Sequence, residues 1–81
     1  MAATKQDIIG WLQRAKPTDT HMIVVCDTYD YEDYPVYVGS DENAEDMVNK
    51  CNTLNMQRVM EVYNLKQDLQ SQIHSVRAWN I

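Results

Sequence analysis

The sequence predicts a small α+β domain, a three-stranded and mainly antiparallel sheet with flanking helices in the order α-β-β-α-β-α. Three observations predict it. Apolar residues recur at helical spacing in two segments, Ile8-Trp11-Leu12-Ala15 and Ala44-Met47-Val48-Cys51. An apolar run rich in β-branched residues, His21 to Cys26, is followed closely by a second strand-like run, Tyr34 to Val38. A third alternation, Met56 to Tyr63, precedes a last helical pattern. At 81 residues the chain makes one domain, residues 1–81, and not two.

The first helix is expected over residues 4–15. Thr4 is placed to cap it, with Asp7 at the reciprocal position of a capping box. Lys16-Pro17 should end it, because the residue before proline avoids helical backbone angles. His21 to Cys26 carries an unbroken apolar run, Met22 to Cys26, that suits a central strand buried on both faces. Tyr34 to Val38 puts Val36 and Val38 on one face and Tyr37 on the other. Pro35, with no N–H to donate, belongs at that strand's start or on a sheet edge. The two strands are close enough in sequence to pair as an antiparallel hairpin.

Ser40 is the expected cap of the second helix, with Asp41 and Glu42 in its first turn. Asn52 to Asn55 reads as a polar break. In the third strand the alternation sets Met60 and Val62 on one face, Val59 and Tyr63 on the other. Asn64 is the expected cap of the last helix, with Gln67 in the box position and Leu65, Leu69, Ile73 and Val76 as its apolar face. Trp79 and Ile81 are apolar enough that the tail, 77–81, should dock on the body or on a second copy. Helices packed mainly on one face of the sheet are the economical arrangement.

Composition excludes several classes. No segment approaches the roughly 18 apolar residues of a membrane span, and the first residues show no secretory leader, so the expected location is the cytoplasm of the host cell. Only two glycines are present, Gly10 and Gly39, so no glycine-rich phosphate loop is possible and no cofactor is expected. Cys26 and Cys51 each lie in an apolar run, without metal spacing, and read as reduced core thiols. His21 and His74 are far apart and read as ordinary surface or edge residues. No nucleophile, base or carboxylate pair is placed as an enzyme would need, so binding rather than catalysis is expected.

The net charge is −5, and its distribution is more informative than its sum. From Pro17 to Asn49 there is no Lys or Arg, while nine acids fall in that stretch. Such a field repels nucleic acid and attracts basic partners. Within it, Asp27-Thr28-Tyr29-Asp30-Tyr31-Glu32-Asp33-Tyr34-Pro35 connects the two hairpin strands and carries four carboxylates and three tyrosines. A connection that only turned the chain would use two to five residues with Gly or Asn. One reading is a solvated loop whose carboxylates cap local N–H groups. A second is a divalent cation site of hard oxygen ligands, without the turning glycine of a calcium loop. The third is a partner-binding surface formed by Asp27, Tyr29, Asp30, Tyr31, Glu32, Asp33 and Tyr34. Its rings would supply contact area and its carboxylates would pair with Arg or Lys.

The stretch Thr20-His21-Met22-Ile23-Val24-Val25-Cys26-Asp27-Thr28-Tyr29-Asp30-Tyr31-Glu32-Asp33-Tyr34-Pro35-Val36-Tyr37-Val38 resembles the core of a family of short proteins from bacteriophages, prophages and plasmids. Asn55 to Tyr63 resembles that family's second block, and Asp7 to Leu12 is similar to its opening. Together these cover most of the chain. The resemblance implies a setting rather than a mechanism. Small acidic accessory proteins of mobile elements often inhibit host defence, anti-CRISPR proteins among them. The expected function is therefore an acidic inhibitor that docks on a host protein with a basic surface, without direct contact to nucleic acid or membrane. The alternative is an oligomeric small-molecule binder that sequesters a nucleotide immune signal. That would need phosphate ligands drawn from Lys5, Arg14, Lys16, Lys50, Arg58, Lys66 and Arg77. A thin core, Met56 and Met60, and the apolar tail also suggest a homodimer.

Overall fold

A computed structural model describes residues 4–53 and 56–81. Its elements are α1 (Lys5–Gln13), β1 (Asp19–Asp27), β2 (Glu32–Gly39), α2 (Ala44–Thr53), β3 (Gln57–Asn64) and α3 (Leu69–Ile73). The sheet order is β2-β1-β3, with both pairings antiparallel. This is the α+β fold and the element order that the sequence predicts. β1 is central, and Met22 to Val25 are all but inaccessible to solvent. β2 is an edge strand, which accommodates Pro35.

The sheet carries helices on both faces, not mainly on one. Alternate residues of β1 feed two separate apolar clusters. Ile23 and Val25 join Val38, Val59 and Val62 against Ala44, Val48 and Cys51 of α2. Met22 and Val24 join Tyr63 against Ile8 and Leu12 of α1, Ile73 of α3 and Ala78 of the tail. A central strand that is apolar at every position requires cover on both sides, so the one-sided arrangement would have left Met22 and Val24 in water.

The capping box of α1 forms as predicted. The Asp7 N–H donates to Thr4 Oγ1 at 3.2 Å, and the Thr4 N–H donates to Asp7 Oδ2 at 3.1 Å. The helix stops at Gln13, short of Lys16-Pro17. Two other predicted caps are displaced. Ser40 does not cap α2. Glu42 Oε1 takes the Gly39 N–H at 3.0 Å, and the Glu42 N–H returns to the Gly39 carbonyl, which ties residues 39–42 into a turn. The cap passes to Asn43, whose Oδ1 takes the Asp46 N–H at 3.0 Å. Asn64 likewise ends β3 rather than starting α3. Its side chain takes the Lys66 N–H, its carbonyl takes the Gln67 N–H, and the helix begins after Asp68. With α3 only five residues long, Val76 falls beyond helical spacing and is fully exposed.

The strand parity expected for β3 is corrected by a bulge. β1 pairs Val24 with Glu61 and then Val25 with Val59, skipping Met60. The extra residue shifts the alternation by one. Val59 and Val62 therefore share the α2 face, while Met60 and Tyr63 share the other. Asn52, read from sequence as part of a polar break, is in α2, and its Oδ1 takes the Val59 N–H at 2.8 Å beside the bulge. The rest of that break, Leu54 and Asn55, lies outside the described residues.

The tail docks on the body through its backbone and the buried Ala78, while Trp79 and Ile81, the residues that suggested docking, stay exposed. Its backbone runs beside β3 in a parallel bridge at Val62, with the Val62 N–H donating to the Ala78 carbonyl and the Asn80 N–H donating to the Val62 carbonyl. Buried Gln72 braces this junction. Its amide takes the Asn64 N–H at 2.7 Å and an Asn80 amide hydrogen at 3.2 Å, and donates to the carbonyls of Asn64 and Asp68. No helix among the described residues is long and apolar enough to cross a membrane.

Candidate functional site

The acidic, tyrosine-rich segment is shorter as a loop than the sequence suggests. β1 runs through Asp27 and β2 begins at Glu32, so the connection is four residues, Thr28 to Tyr31. Asp27 and Glu32 are cross-strand partners, as are Cys26 with Asp33 and Val25 with Tyr34. Its length is therefore ordinary for a hairpin. What is unusual is its chemistry. Tyr31 has φ 57°, the left-handed region, where a tight turn commonly places Gly or Asn. A residue with a Cβ in that conformation costs about 1–2 kcal/mol.

Two features set the turn in place. Asp27 Oδ1 takes the Tyr29 N–H at 2.9 Å, and the Thr28 N–H donates to the Met56 carbonyl at 2.8 Å. The second contact brings the start of β3 alongside the hairpin. Tyr34 is then pinned by a relay. Its hydroxyl donates to Gln57 Oε1 at 2.7 Å, and Gln57 Nε2 donates to the Cys51 carbonyl at 3.2 Å. Burial pushes the Tyr34 hydroxyl above its ordinary pKa, and the Asp27 carboxylate adds to the effect. The tip rings lie in water. Tyr29 is 78% exposed, Tyr31 68% and Tyr34 37%, with Met56 exposed beside them.

The pairing register divides the predicted residues. Asp27, Glu32 and Tyr34 lie on the α2 side of the sheet, in step with Val25, while Tyr29, Asp30 and Tyr31 form the tip. Asp33 is set apart. It is opposite Cys26 and lies on the face of α1 and α3, while the thiol itself donates to the Asp27 carbonyl at 3.8 Å. Burial raises the pKa of Cys26, and Asp33 raises it further. Burial also raises that of Cys51. Both thiols are free and buried, and a thiol held protonated in this way is a poor nucleophile. Met56 and Gln57 belong to the site and were missed from sequence, because only the β1–β3 register brings them to the hairpin.

His21 sits at the other end of β1, opposite Val38 and Asn64. Thr20 Oγ1 donates to the Val38 carbonyl and accepts from His21 Nδ1 at 2.9 Å, which leaves Nε2 buried without a partner. Burial lowers the His21 pKa. Among the described residues, no three or more His, Cys, Asp or Glu side chains are grouped to hold a metal ion. Comparison with protein-family models, with curated proteins and with solved structures found no match to this chain.

Proposed function

We propose that this chain is a binding protein, and that its hairpin docks on the basic surface of a nucleic-acid-handling host protein and inhibits it, as anti-CRISPR proteins of mobile elements do. One observation carries the reading. Tyr29 and Tyr31 are held in water at a four-residue turn, one of them in a backbone conformation that favours glycine, amid carboxylates that no lysine or arginine interrupts between Pro17 and Asn49. Solubility explains acids without rings, and packing explains rings that are buried. A partner that supplies arginine or lysine explains both, through charge-assisted hydrogen bonds and ring faces that accept a cation. Each charge pair desolvated in the complex would cost about 2–5 kcal/mol if one member were removed, and rim pairs far less.

The test is affinity capture from a host lysate with mass spectrometry. The wild-type chain should retain a basic protein, and retention should weaken as salt rises. The variant Asp30→Asn with Glu32→Gln should keep its circular dichroism spectrum and lose the partner. Undiminished capture by that variant would move the site off the hairpin.

A further inference from the structure

Two of the seven bases, from opposite ends of the sequence, converge on one cleft. It has a volume of about 390 Å³ and is lined by Lys5 and Ile8 of α1, Val24 of β1, Asp33 of β2, Met60 and Glu61 of β3, and Val76 and Arg77 of the tail. It lies on the sheet face where α3 is too short to complete the cover. The interior is apolar, with Val24 and Ile8 buried at its base and Val76 fully exposed at the rim. Cavities of this size and character accept small ligands.

The charges in the cleft are not equivalent. The Glu61 carboxylate is engaged by the protein itself: Oε1 accepts from the buried Tyr63 hydroxyl at 3.0 Å, and Oε2 from the Ala78 N–H at 3.0 Å. Asp33 lies opposite Cys26 in the β1–β2 register and adds its carboxylate to the cleft wall. Arg77 is held differently. Its Nε donates to the Met60 carbonyl at 2.8 Å, and its guanidinium carbon lies 4.5 Å from the centroid of the Trp79 ring. That fixes the plane of the guanidinium while its terminal amino groups have no hydrogen-bond partner among the described residues. A planar donor fork already set in place loses little entropy when it takes an oxyanion. Lys5, exposed at the first turn of α1, adds a second cation on another wall.

We infer that this cleft binds a small organic anion, a carboxylate or phosphate head on an apolar body. Arg77 and Lys5 hold the head, and Ile8, Val24, Met60 and Val76 take the body. An apolar rim residue wholly in water and an anchored arginine beside it are both accounted for by such a ligand. The cleft shares only Asp33 with the hairpin segment, since Asp27 and Glu32 lie on the opposite face of the sheet.

The test is an NMR titration of the full chain with hexanoate, hexyl phosphate, hexylammonium and hexanol. Hexanoate or hexyl phosphate should give saturable shifts at the Arg77 Nε–H and at the Ile8 and Met60 methyl groups, and whichever saturates identifies the head. Arg77→Gln should weaken that binding about tenfold, the loss of one charge-assisted hydrogen bond. Because Arg77 also holds the Met60 carbonyl, Lys5→Gln serves as a second variant that leaves the fold untouched, and it should weaken binding by a smaller factor. No saturation with either anion, equal saturation with hexylammonium or hexanol, or wild-type binding by both variants would overturn the inference.

Discussion

The two faces of the sheet are covered in different ways. On one, a single ten-residue helix, α2, seats Ala44, Val48 and Cys51 on a continuous apolar layer, and Asn52 and Gln57 stitch it to β3. On the other, cover is assembled from α1, one turn of α3 and the tail. It is fastened largely by polar side chains, with Tyr37 donating to the Trp11 carbonyl at 2.7 Å and Gln72 and Glu61 gripping backbone groups. The first face is a core in the ordinary sense. The second is a patchwork that leaves a cleft between its pieces. The two surfaces proposed for binding lie where cover runs short, at the hairpin tip beyond α2 and in the gap between α1 and the tail.

The sharpest way to break this comparison is to truncate one residue on each face. Ile23→Ala, under α2 and wholly buried, should cost an amount in the upper half of the roughly 2–5 kcal/mol range for such changes. Leu12→Ala, which lines the open groove between α1 and α3, should fall in the lower half, because its surroundings can collapse. Urea unfolding of both variants reads the difference, and equal losses would mean the patchwork face is packed as firmly as the other.

Next in size is the polar brace. Gln72→Ala would leave the Asn64 N–H without its acceptor, at about 1–3 kcal/mol, while the Asn64 carbonyl keeps the Gln67 N–H. It should also loosen the tail, read as a red shift of Trp79 emission before global unfolding. A loss of stability with unchanged Trp79 emission would show that the tail holds without Gln72.

A smaller effect comes from pH. Burial favours neutral His21, so its pKa in the fold lies below the ordinary histidine value of 6.5. The unfolded chain then binds the proton more readily, and stability is full above pH 6.5 and declines as pH falls below it. Tyr63 carries the opposite sign. Burial, with the neighbouring Glu61 carboxylate, raises its pKa far above 10.0, so its contribution is present below that pH and lost as pH rises beyond it. Melting temperatures across this range should trace both limbs, and His21→Asn should flatten the acid limb alone.

The regularities of single segments were legible from sequence. Helical spacing located α1 and α2, the unbroken apolar run located the central strand, and Pro35 pointed to an edge. What was illegible depended on pairing between segments. The bulge at Met60 exists only in the register of β3 against β1, so the alternation in Met56 to Tyr63 misassigned its faces. The same applies to the caps, because Glu42 and Asn64 found partners in turns before a helix could use Ser40 or Asn64. At the site, the tyrosines and carboxylates were visible. Their division between two faces was not, and neither was the arrival of Met56 beside them. The convergence of Lys5 and Arg77 across most of the chain's length left no local signature at all.

The most direct test of the hairpin as the partner-binding surface uses the variant Tyr29→Ser with Tyr31→Gly. Glycine relieves the left-handed backbone at Tyr31, so the variant should unfold at an unchanged or higher urea concentration. It also removes the two most exposed rings of the tip, so capture of the basic partner should be lost. Stability held and binding lost together is the predicted result. A stable variant that captures the partner as well as the wild type would contradict the account.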